Sequence, residues 1–222
     1  MCGRFYLTAA AAEIKRRFKV DDVPDLVPRY NIAPTQPCPI VVPEGRDRRV
    51  QMARWGLVPS WSRDLSLGAG LINAPAEAIE EKPAFRTPFQ SQRCLVLASG
   101  FYEWQTKGTR RHPYRIAPRT GALFAFAGLW EKWAPELGDA VETFAIITTR
   151  ANKLLSEVHE RMPVIIAPAD YQRWLTGLVQ AAKRLLVPYT GGMTIAPVSD
   201  RVNDLKQDDV GLIAPMPESS PS

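Results

Sequence analysis

Histidine and cysteine are scarce in this chain, and long apolar runs are missing altogether. Of 222 residues, only His112 and His159 are histidines, and only Cys2, Cys38 and Cys94 are cysteines. The three cysteines form no CxxC pair, and their odd number frames no disulfide scaffold, in keeping with a reducing compartment. His159-Glu160 opens like a zinc-binding helix motif, but no second histidine follows it. We therefore expect neither a catalytic metal nor a cofactor. No apolar run reaches the roughly 18 residues that a spanning helix needs. The first twenty residues lack a basic segment followed by a continuous apolar stretch, so they do not read as a secretory signal. The expectation is an intracellular protein with no membrane association, cytoplasmic and, in a bacterium, nucleoid-associated.

What is present is ordinary in bulk. Hydrophobic residues make up 45% and charged residues 23%, values that suit a globular domain with a sizeable core. A net charge of +5 favours polyanions at long range. Charge alone does not separate a nucleic-acid binder from a mildly basic enzyme.

Thr8 is placed to cap a helix over 9–19, in which Ile14 and Phe18 share a face at i, i+4 spacing. Residues 2–7 then form a short extended segment ahead of it. Prolines 24, 28, 34, 37 and 39 punctuate an irregular stretch that we expect to hold a fixed loop. Strand-like runs rich in β-branched and aromatic residues follow at 40–42, 49–55, 93–97, 101–105, 114–117, 123–129, 142–148 and 164–166. Helical stretches are expected at 76–81, 151–158 and 168–175. Strands outnumber helices and no βαβ alternation is visible. This predicts an α+β fold, a single β-rich domain over 1–212 with several short helices around a mixed or antiparallel sheet core. Residues 213–222, rich in proline and serine, read as a flexible tail.

Position 2 carries the most chemistry. A small second residue permits removal of Met1, which would leave Cys2 with a free α-amine and a thiol on adjacent carbons. Their ordinary pKa values, about 7.7–8.0 and about 8.5, leave a useful fraction of each nucleophilic near neutrality. An aldehyde meeting that pair forms a Schiff base with the amine and then closes on sulfur as a five-membered thiazolidine. Closure is intramolecular and gains from high effective molarity. A Cys after Met is equally a small buried hydrophobe in many proteins. Position 2 becomes informative with Gly3, which lets a ligand approach the backbone, and Arg4, which can pair with phosphate.

Carbonyl condensation needs a proton shuttle. Glu103 lies in Gly100-Phe101-Tyr102-Glu103-Trp104, where strand alternation puts Phe101, Glu103 and Gln105 on one face and Tyr102 and Trp104 on the other. Beside Phe101 its carboxyl would be desolvated and its pKa raised; on a surface strand it would simply face water. His159 is either a helix-end cap or a catalyst. Asn73 is either an orienting group or a turn former. Trp55, Trp61 and Arg86 suit base stacking with phosphate contact on a single strand, whereas Trp104, Trp130 and Trp133 read as core.

Eight blocks occur in order: Met1-Cys2-Gly3-Arg4-Phe5, Tyr30-Asn31-Ile32-Ala33-Pro34-Thr35, Trp55-Gly56-Leu57-Val58-Pro59-Ser60-Trp61, Leu71-Ile72-Asn73-Ala74, Phe85-Arg86, Arg93 through Trp104, Thr148-Thr149 and His159-Glu160-Arg161-Met162-Pro163. Together they resemble the SRAP family, the SOS response-associated peptidase-like proteins that crosslink abasic sites, from Cys2 to about Leu212. The resemblance implies a positively charged channel for single-stranded DNA containing abasic sites, bound by a monomer. It implies Cys2 as nucleophile, Glu103 as acid/base, Asn73 as positioning group, and His159 as assistant in sugar ring opening and Schiff-base chemistry. Arg4, Arg86 and Arg161 look like its phosphate contacts. Asn31, Pro34 and Trp61 look like parts of its DNA-shaping surface. The family name implies autoproteolytic exposure of the cysteine. Family members often carry arginine two residues after the asparagine, where this chain has Pro75, and residues 64–70 look longer and glycine-rich.

Two other readings stand beside this one. Cys2, His159 and Asn73 would also suit a cysteine peptidase or amidase. A noncovalent single-strand binding module would need only the arginines.

Overall fold

The structure, a computed structural model, describes residues 2–136 and 138–216. Its strands are β1 (Arg4–Leu7), β2 (Arg29–Ile32), β3 (Pro37–Glu44), β4 (Asp47–Trp55), β5 (Asn73–Pro75), β6 (Arg93–Ala98), β7 (Gly100–Lys107), β8 (Arg110–Pro118), β9 (Phe124–Trp133), β10 (Val141–Arg150), β11 (Arg161–Pro163), β12 (Ile165–Ile166) and β13 (Met193–Pro197). Four short α-helices accompany them: α1 (Ala11–Phe18), α2 (Pro83–Ser91), α3 (Tyr171–Thr176) and α4 (Val179–Lys183). This is the α+β class that the residue pattern predicts.

The strands form two sheets. One runs β13-β8-β7-β1-β2 and is antiparallel throughout. In the other, β10, β4, β3, β6 and β9 pair in turn and β9 returns to β10, so the ring closes. Closure leaves those five strands without open edges. The β10–β4 and β10–β5 pairings are parallel, which makes this sheet mixed.

Alternation along β1 and β7 divides the core in two. Phe5 and Phe101 turn toward the closed sheet and meet Phe126 edge-on at 5.8 Å each, while Phe5 meets Trp55 at 5.1 Å. Tyr6 and Tyr102 face the other way, into a smaller cluster with Val198, Val202 and Leu212 from the chain's C-terminal part.

Several local expectations need correction. Thr8 does not cap α1: its N–H donates to the Ser99 hydroxyl at 3.0 Å, and the helix begins after Ala10 with no side-chain cap. Burial of Ile14 and Phe18 holds α1 instead. The segments expected as helices at 76–81 and 151–158 shrink to 3-10 turns, Ala76–Ala78 and Leu155–Glu157. Helix α2 was hidden by its prolines. Pro83 starts it where an N–H would be unpaired anyway, and Pro88 gives up a bond to the preceding turn while both it and Phe89 stay buried.

Prolines 37 and 39 lie inside β3 rather than in a loop, and Pro43 lies in the same strand. They occupy alternate positions, so one flank of the strand absorbs all three missing donors. The loop before β3 does hold a fixed shape. Thr35 sits at φ 73° and its N–H donates to the Trp55 carbonyl at 2.8 Å, while the Ala33 N–H reaches Gln36 Oε1 at 3.2 Å. Of the expected tail, Ile213 ends a 3-10 turn and the Met216 N–H donates to the Pro197 carbonyl at 2.9 Å. Residues 217–222 lie outside the described part.

Candidate active site

The first residues enter between the two sheets. Cys2, just ahead of β1, is wholly buried, and its carbonyl accepts from Asn73 Nδ2 at 2.9 Å. Asn73 opens β5, which lies parallel to β10 with Asn73 opposite Ile146. Glu103 rides on β7 on the same face as Phe101, 2% exposed. The Phe101/Glu103 versus Tyr102/Trp104 division expected from strand alternation is therefore present, and Glu103 is not a water-facing residue.

Burial pushes the Cys2 thiol well above its usual range, the Glu103 charge adds to this, and the Arg4 backbone N–H opposes it. Burial also raises Glu103 to about 7, while the Trp104 backbone N–H and the Arg111 charge pull the other way. His159 is half-buried, and desolvation lowers its pKa. The Glu103 carboxyl is held where proton transfer near neutrality is easiest.

The His159 ring is oriented by a backbone bond. Its Nδ1 accepts from the Arg161 N–H at 2.9 Å, which puts the proton of the neutral imidazole on Nε2. Arg161 forms a bidentate pair with Glu77 at 2.7 and 2.9 Å, and its Nη2 also donates to the Thr148 carbonyl at 2.8 Å. Thr148 stands opposite Pro75 across the β10–β5 pairing. Asn73, Pro75, Thr148, Arg161 and His159 therefore form one continuous chain of contacts.

Cys2, Asn73, Glu103, His159, Arg4 and Arg161 are thus brought together or joined by bonds. Of the remaining expected residues, Asn31 is joined to this group through Arg4, and Pro34, Arg86 and Trp61 are not. Asn31 is 1% exposed, and its amide donates to the carbonyls of Val202, Asp204 and Gln207 while its Oδ1 accepts from Arg4 at 2.7 Å. It acts as an internal clamp on the C-terminal segment. Pro34 is half-buried in the rigid loop. Arg86 is exposed on α2, with no bond to the Cys2 group among the described residues. Trp61 is 64% exposed. Its loop returns tightly: Gly56, at φ 127°, packs so near Gly68 that a Cβ would lie 2.5 Å from the Gly68 carbonyl oxygen. Trp55 does not face a ligand, being fully buried with its Nε1–H on the Ile72 carbonyl at 2.9 Å.

Two residues were passed over in the sequence. Glu77 is paired to Arg161, and its signal would have been an acidic residue in place of the expected arginine's neighbourhood. Arg111 stands over the Trp104 ring at 5.7 Å and acts on both Glu103 and His159. Its signal was the basic run Arg110-Arg111-His112 just beyond the Glu103 block.

The β-rich domain thus groups a buried near-terminal cysteine, a raised carboxyl and an oriented imidazole. The chain belongs to the SOS response associated peptidase (SRAP) family, whose model matches residues 1–205. It is 40% identical over 96% of its length, and 97% of the relative's, to the abasic site processing protein YoaM of Bacillus subtilis. It is 30% identical over 97% of its length, and 76% of the relative's, to the abasic site processing protein HMCES of Rattus norvegicus. A crystal structure of a protein from Bacteroides thetaiotaomicron superposes with a TM-score of 0.88 at 28% identity, covering 97% of this chain and all of that one. No helix among the described residues is long and apolar enough to cross a membrane, and no cluster of three or more metal-ligating side chains occurs among them.

Proposed function

We propose that this protein processes abasic sites in single-stranded DNA by joining Cys2 covalently to the lesion. The observation that carries this reading is a wholly buried Cys2, held through its carbonyl by Asn73, with the buried Glu103 carboxyl acting on its thiol. Loss of Met1 places a free amine on the buried residue whose sulfur completes the nucleophilic pair.

The chemistry balances as a condensation. The ring-opened deoxyribose presents an aldehyde carbon, and the neutral amine of Cys2 forms a C–N bond to it. The carbinolamine loses its oxygen as one molecule of water, giving an imine. Cys2 Sγ then bonds to the same carbon, and the thiol proton ends on nitrogen. A carboxyl near pKa 7 can give a proton to the departing hydroxyl and take one from the thiol. His159, with Nε2 carrying the proton, suits protonation of the sugar ring oxygen as the ring opens. Asn73 holds the Cys2 backbone, and so both reacting atoms, in one orientation. Arg4 provides positive charge for a flanking phosphate, and Arg161 does so on leaving Glu77.

A peptidase acting in trans is less well supported. Its thiol would have to ionise readily, whereas burial holds the Cys2 thiol in its neutral form. Sulfur addition to an imine on its own residue needs no free-standing thiolate. A purely noncovalent binding module leaves the raised Glu103 carboxyl without use.

The test is a denaturing gel of protein incubated with single-stranded DNA carrying one abasic site. The wild type is expected to give a shifted band that survives denaturation. Cys2→Ala, and a form with a blocked amino terminus, are expected to give none. A band of equal yield from Cys2→Ala overturns the proposal, and turnover of peptides without DNA would favour the peptidase.

A further inference from the structure

The β7–β8 hairpin carries Lys107, Arg110, Arg111 and His112, all exposed, beyond the strand that bears Glu103. Arg111 folds back over the outer face of β7. Its guanidinium lies 5.7 Å from the centre of the Trp104 ring, and that of Arg4 lies 5.8 Å from it. A cavity of about 400 Å³ opens there, lined by Gly3, Arg4, Trp104, Arg111 and Asn203. Trp104 Nε1 donates to Asn203 Oδ1 at 2.8 Å, which leaves the Asn203 amide hydrogens as donors toward the cavity.

Neither arginine has a carboxylate within ion-pair distance among the described residues. Arg4 is held by neutral oxygens only, Asn31 Oδ1 and the Val202 carbonyl, each at 2.7 Å. Glu103 acts on Arg111 only beyond ion-pair distance, and an anion in the cavity would join the two guanidiniums. Arg161 is different, since Glu77 already neutralises it.

We infer that Arg111, with Arg4 and Asn203, forms a phosphodiester site against Trp104, immediately beside Gly3. Resting on the DNA reading above, it assigns the backbone phosphate next to the reacting nucleotide to this cavity. The guanidinium forks supply charge-assisted donors and Asn203 a neutral one.

The experiment uses single-stranded DNA with a tetrahydrofuran abasic analogue, which has no aldehyde and reports noncovalent binding alone. Affinity is measured across salt concentrations for wild type, Arg111→Gln and Arg111→Lys. Each phosphate contact on a single strand contributes about 0.7 to the slope of log affinity against log salt. Arg111→Gln is expected to flatten the slope by about that amount and Arg111→Lys to keep it. A methylphosphonate replacing one phosphate beside the analogue is expected to weaken the wild type but not Arg111→Gln. An unchanged slope in Arg111→Gln, with wild-type binding intact, overturns this site alone. Wild-type protein with no salt-dependent binding overturns the DNA reading and the site with it. Displacement of DNA by inorganic phosphate beyond the effect of chloride at equal ionic strength would make this a free-phosphate site, against the inference.

Discussion

The side-chain amide of Asn73 donates to the backbone carbonyl of Cys2 at 2.9 Å. That bond joins the start of the chain to β5, and through β5 to β10 and the His159–Arg161 segment. Core packing buries Cys2, and this contact adds a directional hold on its backbone. Asn73→Ala is expected to slow adduct formation by about ten- to a hundred-fold while leaving noncovalent DNA affinity nearly unchanged, because loss of alignment costs rate. Single-turnover kinetics on abasic-site DNA, with anisotropy on the tetrahydrofuran analogue, check both halves.

Glu103 gives a pH signature of unusual sign for a carboxylate. Its ordinary value is 4.5 and burial raises it to about 7 in the folded chain. Between these values the native state keeps a proton that the unfolded state has released. Stability from this group is therefore full below about pH 4.5 and is lost as pH rises through about 7. Glu103→Gln removes that slope, so the variant gains on the wild type by up to roughly 3 kcal/mol at pH 8 and gains little at pH 4.5. Urea denaturation at the two pH values measures it. The adduct rate of the wild type should also show a titration near pH 7 that Glu103→Gln lacks.

Arg161 meets DNA only by changing partners. Both of its terminal nitrogens are on Glu77, whose side chain is half exposed. Glu77→Gln releases the guanidinium and removes a negative charge near the strand. Affinity for single-stranded DNA at low salt is expected to rise about two- to five-fold, the scale of an exposed ion pair. Fluorescence anisotropy of a labelled oligonucleotide checks the direction.

Arg93 is a structural cation, 3% exposed, which donates to the carbonyls of Trp174, Phe89, Gln90 and Gly177. It ties α2 and α3 to β6. Arg93→Gln leaves buried carbonyls unpaired and is expected to cost about 3 kcal/mol in equilibrium unfolding, without altering the amino-terminal chemistry of the molecules that remain folded.

The β-rich class and the Glu103 face were legible because strand alternation is local: Phe101 and Glu103 must point one way and Tyr102 and Trp104 the other. The nearness of Cys2 to Asn73 and Glu103 was not local and came into view only as family likeness, since sheet pairing over about a hundred residues leaves no mark in short-range pattern. Helix α2 and the first residues of β3, ahead of the expected strand at 40–42, escaped because their prolines read as breakers, although each sits where the missing N–H costs little. Asn31 read as a surface residue because a polar side chain can as readily satisfy buried carbonyls as face a ligand, and only the returning C-terminal segment decides which.

Intact mass of the denatured protein, before and after exposure to abasic-site DNA, tests the central claim most directly. The account predicts a starting mass without Met1, and a product heavier by the oligonucleotide less one water, formed without reductant and absent in Cys2→Ala. A reactive species that still carries Met1, or an equally abundant product from Cys2→Ala, would contradict it.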